Sequence, residues 1–144
     1  MAIVYFDASA YVKLLVEEDG SDLAARIWDG CDAAVSSRLA YPEVRAALAA
    51  ARRNRQMSPR ALASAEETWE EFWTATRAVE FTEAVGRHAG SLAAKLGLRG
   101  ADAVHLASAL AINDPEIVVA AWDSRLRDGA RAVRLRVAPA EQRP

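Results

Sequence analysis

Short apolar runs alternate along this chain with longer segments of helical spacing, and this alternation restricts the possible folds more than any other feature. Compact apolar runs bounded by Asp, Gly, Pro or Ser are typical of strands that are buried on both faces. We predict three such strands, at residues 2–6, 33–37 and 117–121, and two weaker candidates, at residues 78–81 and 132–137.

Helices are predicted between these strands, at residues 9–16, 21–28, 41–53, 59–76, 83–96, 101–112 and 124–128. Parallel strands need long crossover connections, which are usually helical. The alternation therefore predicts an α/β fold in which helices cover both faces of a parallel sheet. The length of 144 residues fits a single domain. We predict that it spans residues 1–137 and that residues 138–144, which include two prolines, form a frayed tail.

Four acidic residues fall where ligands bind in folds of this kind. An open α/β sheet binds its ligands beyond the carboxyl ends of the strands, where the strand order reverses. Asp7 directly follows the first predicted strand, and Asp123 comes two residues after the third. Glu43 and Asp102 lie in the first turns of predicted helices, where the helix dipole alone stabilises an acid by roughly 0.3–1 kcal/mol. Each acid taken singly therefore has a structural explanation as well.

Taken together, the four acids indicate a metal ion. Two unit charges 4 Å apart repel each other by about 4 kcal/mol at an effective dielectric constant of 20, so crowded carboxylates either take up protons or bind a cation. The chain has only two lysines, Lys13 and Lys95, and neither is expected to neutralise the acids. Carboxylate oxygens select a hard ion. We expect Mg²⁺ or Mn²⁺ rather than Zn²⁺, which prefers His or Cys.

Charge and cysteine content exclude several classes of protein. The formal net charge is −2, so the chain is not a generally basic nucleic-acid binder, and any RNA contact needs a local patch. The single cysteine, Cys31, leaves no disulfide framework and no thiolate cluster for zinc. No apolar stretch approaches the length of a membrane span, and the first residues show no signal-peptide pattern. We expect a cytoplasmic protein with no membrane contact.

The segments that carry the acids form a recognisable series. They are VYFDASAYVKL at residues 4–14, YPEV at residues 41–44, LRGADAVHLA at residues 98–107 and WDSRL at residues 122–126. In order and spacing this series resembles the PIN-domain ribonucleases, and among them the VapC-like toxins of bacterial toxin–antitoxin pairs. The resemblance spans nearly the whole chain. One departure is Ala121, because relatives often carry a threonine two residues before the last acid.

The resemblance implies a three-layer α/β/α sandwich with a mostly parallel central sheet and the activity of a metal-dependent endoribonuclease. It implies that Asp7, Asp102 and Asp123 are catalytic and bind Mg²⁺ or Mn²⁺. Glu43 either binds the same ion or orients the attacking water. Ser9 supports the metal-binding acids without binding the ion itself. The implied partners are an RNA substrate, a small cognate antitoxin protein and a second copy of the chain in a homodimer.

Three other features each allow two interpretations. His105 lies three residues after Asp102 on a predicted helix, so it either supports the site or is satisfied by another neighbour. Five arginines from residue 45 to residue 60 form either an RNA-binding patch or a solvated helix end. Trp69, Phe72 and Trp73 share one helix face, which is typical of core packing. The resemblance also makes this face a candidate for dimer or antitoxin contacts.

Other classes of protein also place an Asp after the first strand. A haloacid-dehalogenase-type phosphatase needs a second acid two residues later, where this chain has Ser9. A phosphoacceptor receiver domain needs paired acids near its start and a lysine at the end of its last strand, and this sequence has neither. A further alternative is a catalytically inactive PIN-like binding module whose acidic pocket only holds a partner's cationic side chain. The presence of all four acids favours the nuclease.

Overall fold

The computed structural model describes residues 2–140, and helices and strands alternate there as predicted. The strands are β1 (Ile3–Phe6), β2 (Ala33–Ser37), β3 (Thr76–Val79), β4 (Val118–Ala120) and β5 (Arg136–Ala138). The helices are α1 (Ala8–Leu15), α2 (Ser21–Gly30), α3 (Ala40–Arg53), α4 (Pro59–Thr74), α5 (Glu83–Leu96), α6 (Gly100–Ala111) and α7 (Ser124–Ala132). None of the helices within residues 2–140 has the length and apolar character that crossing a membrane requires.

The five strands form one sheet in the order β3-β2-β1-β4-β5, and every pair of neighbours is parallel. The central strand is β1, in which Val4 lies opposite Ala34 of β2 on one side and Val118 of β4 on the other. The chain winds outward from β1 to β3 and then returns to β4 on the opposite side. The strand order therefore reverses between β1 and β4, and ligands of such sheets bind beyond the carboxyl ends of these two strands.

Two apolar cores lie on opposite faces of the sheet, which confirms the three-layer α/β/α arrangement. Successive side chains of a strand point to opposite faces. Tyr5 packs in the core formed with α5, α6 and α7, whereas Val4 and Phe6 pack in the core formed with α1 to α4. Tyr5 and Phe6 are fully buried. Because both cores hold β1, its carboxyl end has a fixed position.

The aromatic face of α4 belongs to one of these cores. Trp69 is fully buried, and its ring lies 4.8 Å from that of Tyr11 and 5.9 Å from that of Tyr41, measured between centroids. Phe72 packs edge-on against Trp28 at 4.8 Å. The predicted core packing of this face is confirmed for Trp69 and Phe72, so these two side chains are already engaged within the chain.

The boundary between α4 and β3 differs from the prediction. Thr76 was predicted to end a helix, and this was wrong, because it is the first residue of β3. Its hydroxyl donates a hydrogen bond to the carbonyl oxygen of Phe72 at 2.8 Å and pairs with the hydroxyl of Tyr11 at 2.7 Å. The first contact closes the end of α4, and the second fixes the start of the strand.

The last helix and strand also differ from the prediction. Helix α7 continues to Ala132 instead of ending at Asp128, and β5 begins at Arg136 instead of at residue 132. Gly129 lies inside α7, at a point where the helix packs closely against its neighbours. A Cβ at this position would lie 3.2 Å from a side-chain carbon of Leu98.

The predicted tail is described in part. Ala138, its first residue, pairs with Ala120 as the last residue of β5. The carbonyl oxygen of Pro139 accepts a hydrogen bond from Arg127 at 2.7 Å. These residues are therefore attached to the sheet and to α7, and residues 141–144 of the predicted tail lie outside the described residues.

Candidate active site

Asp7 lies directly after β1 and caps α1. Its Oδ1 accepts hydrogen bonds from the hydroxyl of Ser9 at 2.7 Å and from the amide of Ala10 at 3.0 Å. The residue is 5% exposed. The pKa of Asp7 is raised to about 6, mainly by burial; His105 and the two hydrogen bonds oppose the shift, and the charge of Glu43 adds a smaller rise. Burial rather than crowding among the acids is thus the main cause of the raised pKa.

Ser9 connects the two strands between which the strand order reverses. Its hydroxyl donates to Asp7 and accepts a hydrogen bond from the amide of Trp122 at 3.0 Å. Trp122 lies in the loop after β4 and immediately precedes Asp123. One hydroxyl therefore holds the first acid and the loop of the fourth acid in a single network.

Glu43, in the first turn of α3, pairs with a buried histidine. Its Oε1 lies 2.5 Å from Nε2 of His105, and Nδ1 of His105 lies 2.7 Å from the hydroxyl of Tyr5. That hydroxyl also accepts a hydrogen bond from the amide of Ser37 at 3.1 Å. His105 is 3% exposed. A row of hydrogen bonds thus runs from the sheet through His105 to Glu43, and the histidine is satisfied by residues of the site itself.

The electrostatic environment of His105 shows which acids lie near one another. Burial lowers the pKa of His105, but the hydrogen bond to Glu43 and the negative charges of Glu43, Asp7 and Asp102 together raise it above its usual value. Charges raise the pKa of a histidine in this way when they lie close to it. Three of the four predicted acids therefore lie around one buried imidazole.

Asp102 and Asp123 face the same arginine. Nε of Arg99 lies 3.6 Å from Oδ2 of Asp102, and Nη2 of Arg99 lies 3.7 Å from Oδ2 of Asp123. Asp123 also caps α7, because its Oδ1 accepts hydrogen bonds from the amides of Arg125 and Leu126. Oδ2 of Asp102 is buried and has no hydrogen-bond partner within residues 2–140. Its contact with Arg99 is longer than a hydrogen bond, so this oxygen keeps its capacity to accept one or to bind a cation.

The arginines from residue 45 to residue 60 are not brought to these acids. Arg45 pairs with Glu66 at 3.9 Å and with Glu70 at 4.0 Å, on the acidic face of α4. Arg52 lies at the far end of α3, roughly 14 Å from the turn of Glu43 at 1.5 Å per residue. This segment therefore offers little to the site, and a solvated helix end describes it better than a patch beside the acids.

Sequence reasoning did not single out Arg99 or Tyr5. Arg99 did carry a signal, because it precedes Asp102 by three residues, and side chains at this spacing lie near each other at a helix start. Tyr5 carried none, since a tyrosine in a buried strand is ordinary core material. Its contact with His105 joins residues 100 positions apart.

The acids fit a hard divalent cation by their chemistry, although their side chains are engaged with protein partners. Within residues 2–140, no three His, Cys, Asp or Glu side chains lie around one point closely enough to hold a metal ion. Arg99 contacts Asp102 and Asp123, and His105 contacts Glu43. Carboxylate oxygens are the ligands that Mg²⁺ and Mn²⁺ prefer, and the unpartnered Oδ2 of Asp102 is one of them. A divalent cation on Asp102 and Asp123 would therefore compete with Arg99.

Comparison with known proteins shows the family of this chain. Residues 4–132 match the model of the PIN domain. The chain belongs to the PIN-domain family. It is 65% identical over 144 residues to Ribonuclease VapC49 of Mycobacterium tuberculosis strain ATCC 25618 / H37Rv, and the match covers the whole of both chains.

Solved structures share the fold. The crystal structure of Mycobacterium tuberculosis VapC20, a Sarcin-Ricin loop cleaving toxin, superposes with a TM-score of 0.69 at 18% identity and covers 98% of this chain and 99% of that one. A toxin–antitoxin complex from Klebsiella pneumoniae gives a TM-score of 0.65 at 15% identity, with 99% and 100% covered. At these identities the likeness shows the fold alone, and it confirms the expected PIN-like architecture.

Proposed function

We propose that this protein is a metal-dependent endoribonuclease that hydrolyses RNA phosphodiesters and is the toxin of a toxin–antitoxin pair. The observation that carries the proposal is the convergence of the acids at the reversal point of the sheet. Three of them lie around His105, and Arg99 joins Asp102 to Asp123. The 65% identity to a protein named as a ribonuclease supports the same activity.

The metal ligands in this proposal are Asp7, Asp102, Asp123 and Glu43, with Glu43 alternatively orienting the attacking water. When bound, Mg²⁺ or Mn²⁺ lowers the pKa of water and offsets negative charge on the phosphate. Other residues of the chain hold these acids in position. Ser9 fixes one oxygen of Asp7, and the buried histidine fixes Glu43. Supports of this kind hold metal-binding side chains in orientation and raise the affinity of the site.

The partners in this proposal are an RNA substrate, a small cognate antitoxin and a second copy of the chain in a homodimer. The Klebsiella pneumoniae neighbour was solved as a toxin–antitoxin complex, which supports a protein antitoxin. A reducing cytoplasm suits a chain with one cysteine. Copurification with the product of an adjacent short gene tests the antitoxin. A free monomer beside that coexpressed neighbour would contradict both protein partners.

Cleavage of single-stranded RNA tests the activity. We expect the purified protein to cut RNA in Mg²⁺ or Mn²⁺ and to stop when EDTA is added. Undiminished cutting in EDTA would contradict the metal mechanism. A folded protein that cuts no RNA in either metal would favour the inactive binding module.

Asp102→Asn tests the site. Asn keeps the shape but removes a negative charge and a metal ligand, so we expect loss of cleavage together with a higher melting temperature in EDTA. If Asp102 served only the start of its helix, Asn would leave both nearly unchanged. An active Asp102→Asn variant would remove this residue from the site.

A further inference from the structure

The cation beside the candidate metal site belongs to the chain itself. Arg99 lies 3.6 Å from Asp102 and 3.7 Å from Asp123, and its side chain is 65% exposed. Its backbone, in contrast, is fixed. It is the N-cap of α6, and its carbonyl oxygen accepts a hydrogen bond from Ala103 at 3.0 Å. The guanidinium is therefore carried by an exposed side chain whose backbone is fixed next to both acids.

The two contacts of Arg99 are of a kind that another cation can replace. Both distances exceed hydrogen-bond length, so the guanidinium meets the carboxylates as a charge and not through aligned donors. Ion pairs made by an exposed cation without aligned donors are weak. Oδ2 of Asp102, the oxygen in contact with Arg99, remains without a hydrogen-bond partner within residues 2–140. The arginine therefore offsets part of the charge of the two acids without donating a hydrogen bond to either.

A divalent cation on the acids would compete with Arg99 for the same oxygens. Once the acids hold that charge, the guanidinium loses its partners and is repelled, but its fixed backbone keeps it at the edge of the site. The RNA phosphate is the anion that arrives there. A guanidinium presents several donors in a planar fork that matches the geometry of phosphate oxygens.

We propose that Arg99 is a further catalytic residue, which serves as the counterion of Asp102 and Asp123 without metal and binds a phosphate oxygen of the RNA once metal is present. This inference rests on the proposed function. It predicts effects of opposite sign: removal of Arg99 should strengthen metal binding and weaken the handling of RNA. Removal of a purely structural ion pair would not produce these two opposite effects.

The test compares Arg99→Ala, Arg99→Lys and a matched control. Arg136→Ala is the control, because Arg136 has the same 65% exposure and pairs with one acid, Glu116, at 3.8 Å. Arg136 begins β5 beside Val118, the first residue of β4, and therefore lies at the amino edge of the sheet, opposite the site. The first measurement is the dissociation constant for Mn²⁺ without RNA, and the second is the steady-state cleavage of single-stranded RNA.

For Arg99→Ala we expect Mn²⁺ to bind up to about 5-fold more tightly, as loss of a weak competing cation predicts. We expect kcat/KM for RNA to fall roughly 10- to 100-fold, as loss of a charged hydrogen bond predicts. Arg99→Lys keeps the charge but not the fork, so it should bind Mn²⁺ like the wild type and cleave RNA at an intermediate rate. Arg136→Ala should match the wild type in both measurements.

Three results would overturn the proposal. If the wild type binds Mn²⁺ and cuts RNA while Arg99→Ala does both equally well, Arg99 is only a surface ion pair and the proposed function stands. If Arg99→Ala weakens Mn²⁺ binding, Arg99 supports the acids and does not compete for them. A wild type that neither binds Mn²⁺ nor cuts RNA would instead refute the proposed function, and this inference with it.

Discussion

The two halves of the acidic site are built differently. In one half, called the buried half after its histidine, Asp7 accepts two hydrogen bonds from the start of α1, and Glu43 pairs with His105, which is 3% exposed. In the other half, called the exposed half after its arginine, Asp102 and Asp123 share Arg99, whose side chain is 65% exposed. One half is held by the interior of the protein, and the other by a surface cation.

This difference separates the parts of the site that are fixed in advance from those that respond to a ligand. Acids that are hydrogen-bonded to buried or backbone partners keep their positions with or without a metal, because those partners belong to the sheet and the helices. Acids paired with an exposed cation release it at small cost, since such pairs contribute roughly 0–1 kcal/mol. We expect the buried half to set the position of the site. We expect the exposed half to control the exchange of Arg99 for a metal ion on the acids.

The largest expected effect follows from Asp7→Asn in the buried half. Asn still accepts hydrogen bonds from Ser9 and Ala10, but it lacks the charge that binds metal. We expect RNA cleavage to fall by about 1,000-fold or more. Removal of a buried charge with a pKa near 6 should also stabilise the metal-free fold by about 3 kcal/mol at pH 8. Cleavage assays and urea unfolding in EDTA measure both effects. The exposed Asp22→Asn should change neither.

His105→Ala tests whether the buried half is one connected unit. The change leaves Glu43 and the hydroxyl of Tyr5 without their shared partner, and we expect a loss of about 3 kcal/mol in the free energy of unfolding. The other histidine, His88, is exposed on α5, so His88→Ala should stay within about 0.5 kcal/mol of the wild type. Equal urea midpoints for the two variants would show that the row of hydrogen bonds is not structural.

The pH dependence of stability sharpens the same comparison. The folded pKa of Asp7 is about 6, against an ordinary value of 3.8, so its protonated form favours the fold. That contribution is complete below pH 3.8 and is lost as the pH rises through 6. His105 acts in the same direction at higher pH, because its raised pKa makes its contribution complete below 6.5 and lost above the folded value.

Without metal, stability should therefore fall as the pH rises from about 4 past 7, by an amount on the order of 3 kcal/mol for Asp7. Thermal melts in EDTA measure this fall, and Asp7→Asn should remove its acidic part. Mg²⁺ should restore stability at high pH, since it binds only the folded site. If stability in EDTA instead rose with pH over this range, burial would not oppose the ionisation of Asp7.

The smallest expected effect belongs to the exposed half. Asp123→Asn keeps the Oδ1 that caps α7 and loses only the contact with Arg99, so the free energy of unfolding should change by less than about 0.5 kcal/mol. Asp123→Ala also loses the cap and should cost about 1 kcal/mol. Urea unfolding in EDTA separates the two variants. Both should lose metal binding, and equal destabilisation would mean that the cap contributes nothing.

Local patterns predicted the elements well, because apolar runs and helical spacing are properties of neighbouring residues. The end of α4 was mispredicted because Thr76 is held by Tyr11, which lies 65 residues away in the sequence. The four acids could be named from their positions after strands and in first turns, together with the resemblance. The structure brings them into one connected set, and their roles as metal ligands remain a prediction.

The partners of the acids could not be named in the same way. The row from Tyr5 through His105 to Glu43 joins three distant segments, and no spacing within one segment encodes such a contact. Arg99 was overlooked because lysines alone were considered as neutralising groups. An arginine three residues before an acid gives the same charge, and a search for either cation would have found it.

The strand order has a consequence for synthesis on the ribosome. The central strand β1 is made first, but its partner β4 lies more than 100 residues later, with Phe6 opposite Ala120. At common rates of translation, β1 waits on the order of 10 s for that partner. Asp102 and Asp123 also arrive late in the chain. Of the four acids, a growing polypeptide therefore carries only Asp7 and Glu43 until α6 is made, and the acidic site is not complete until Asp123 has been added.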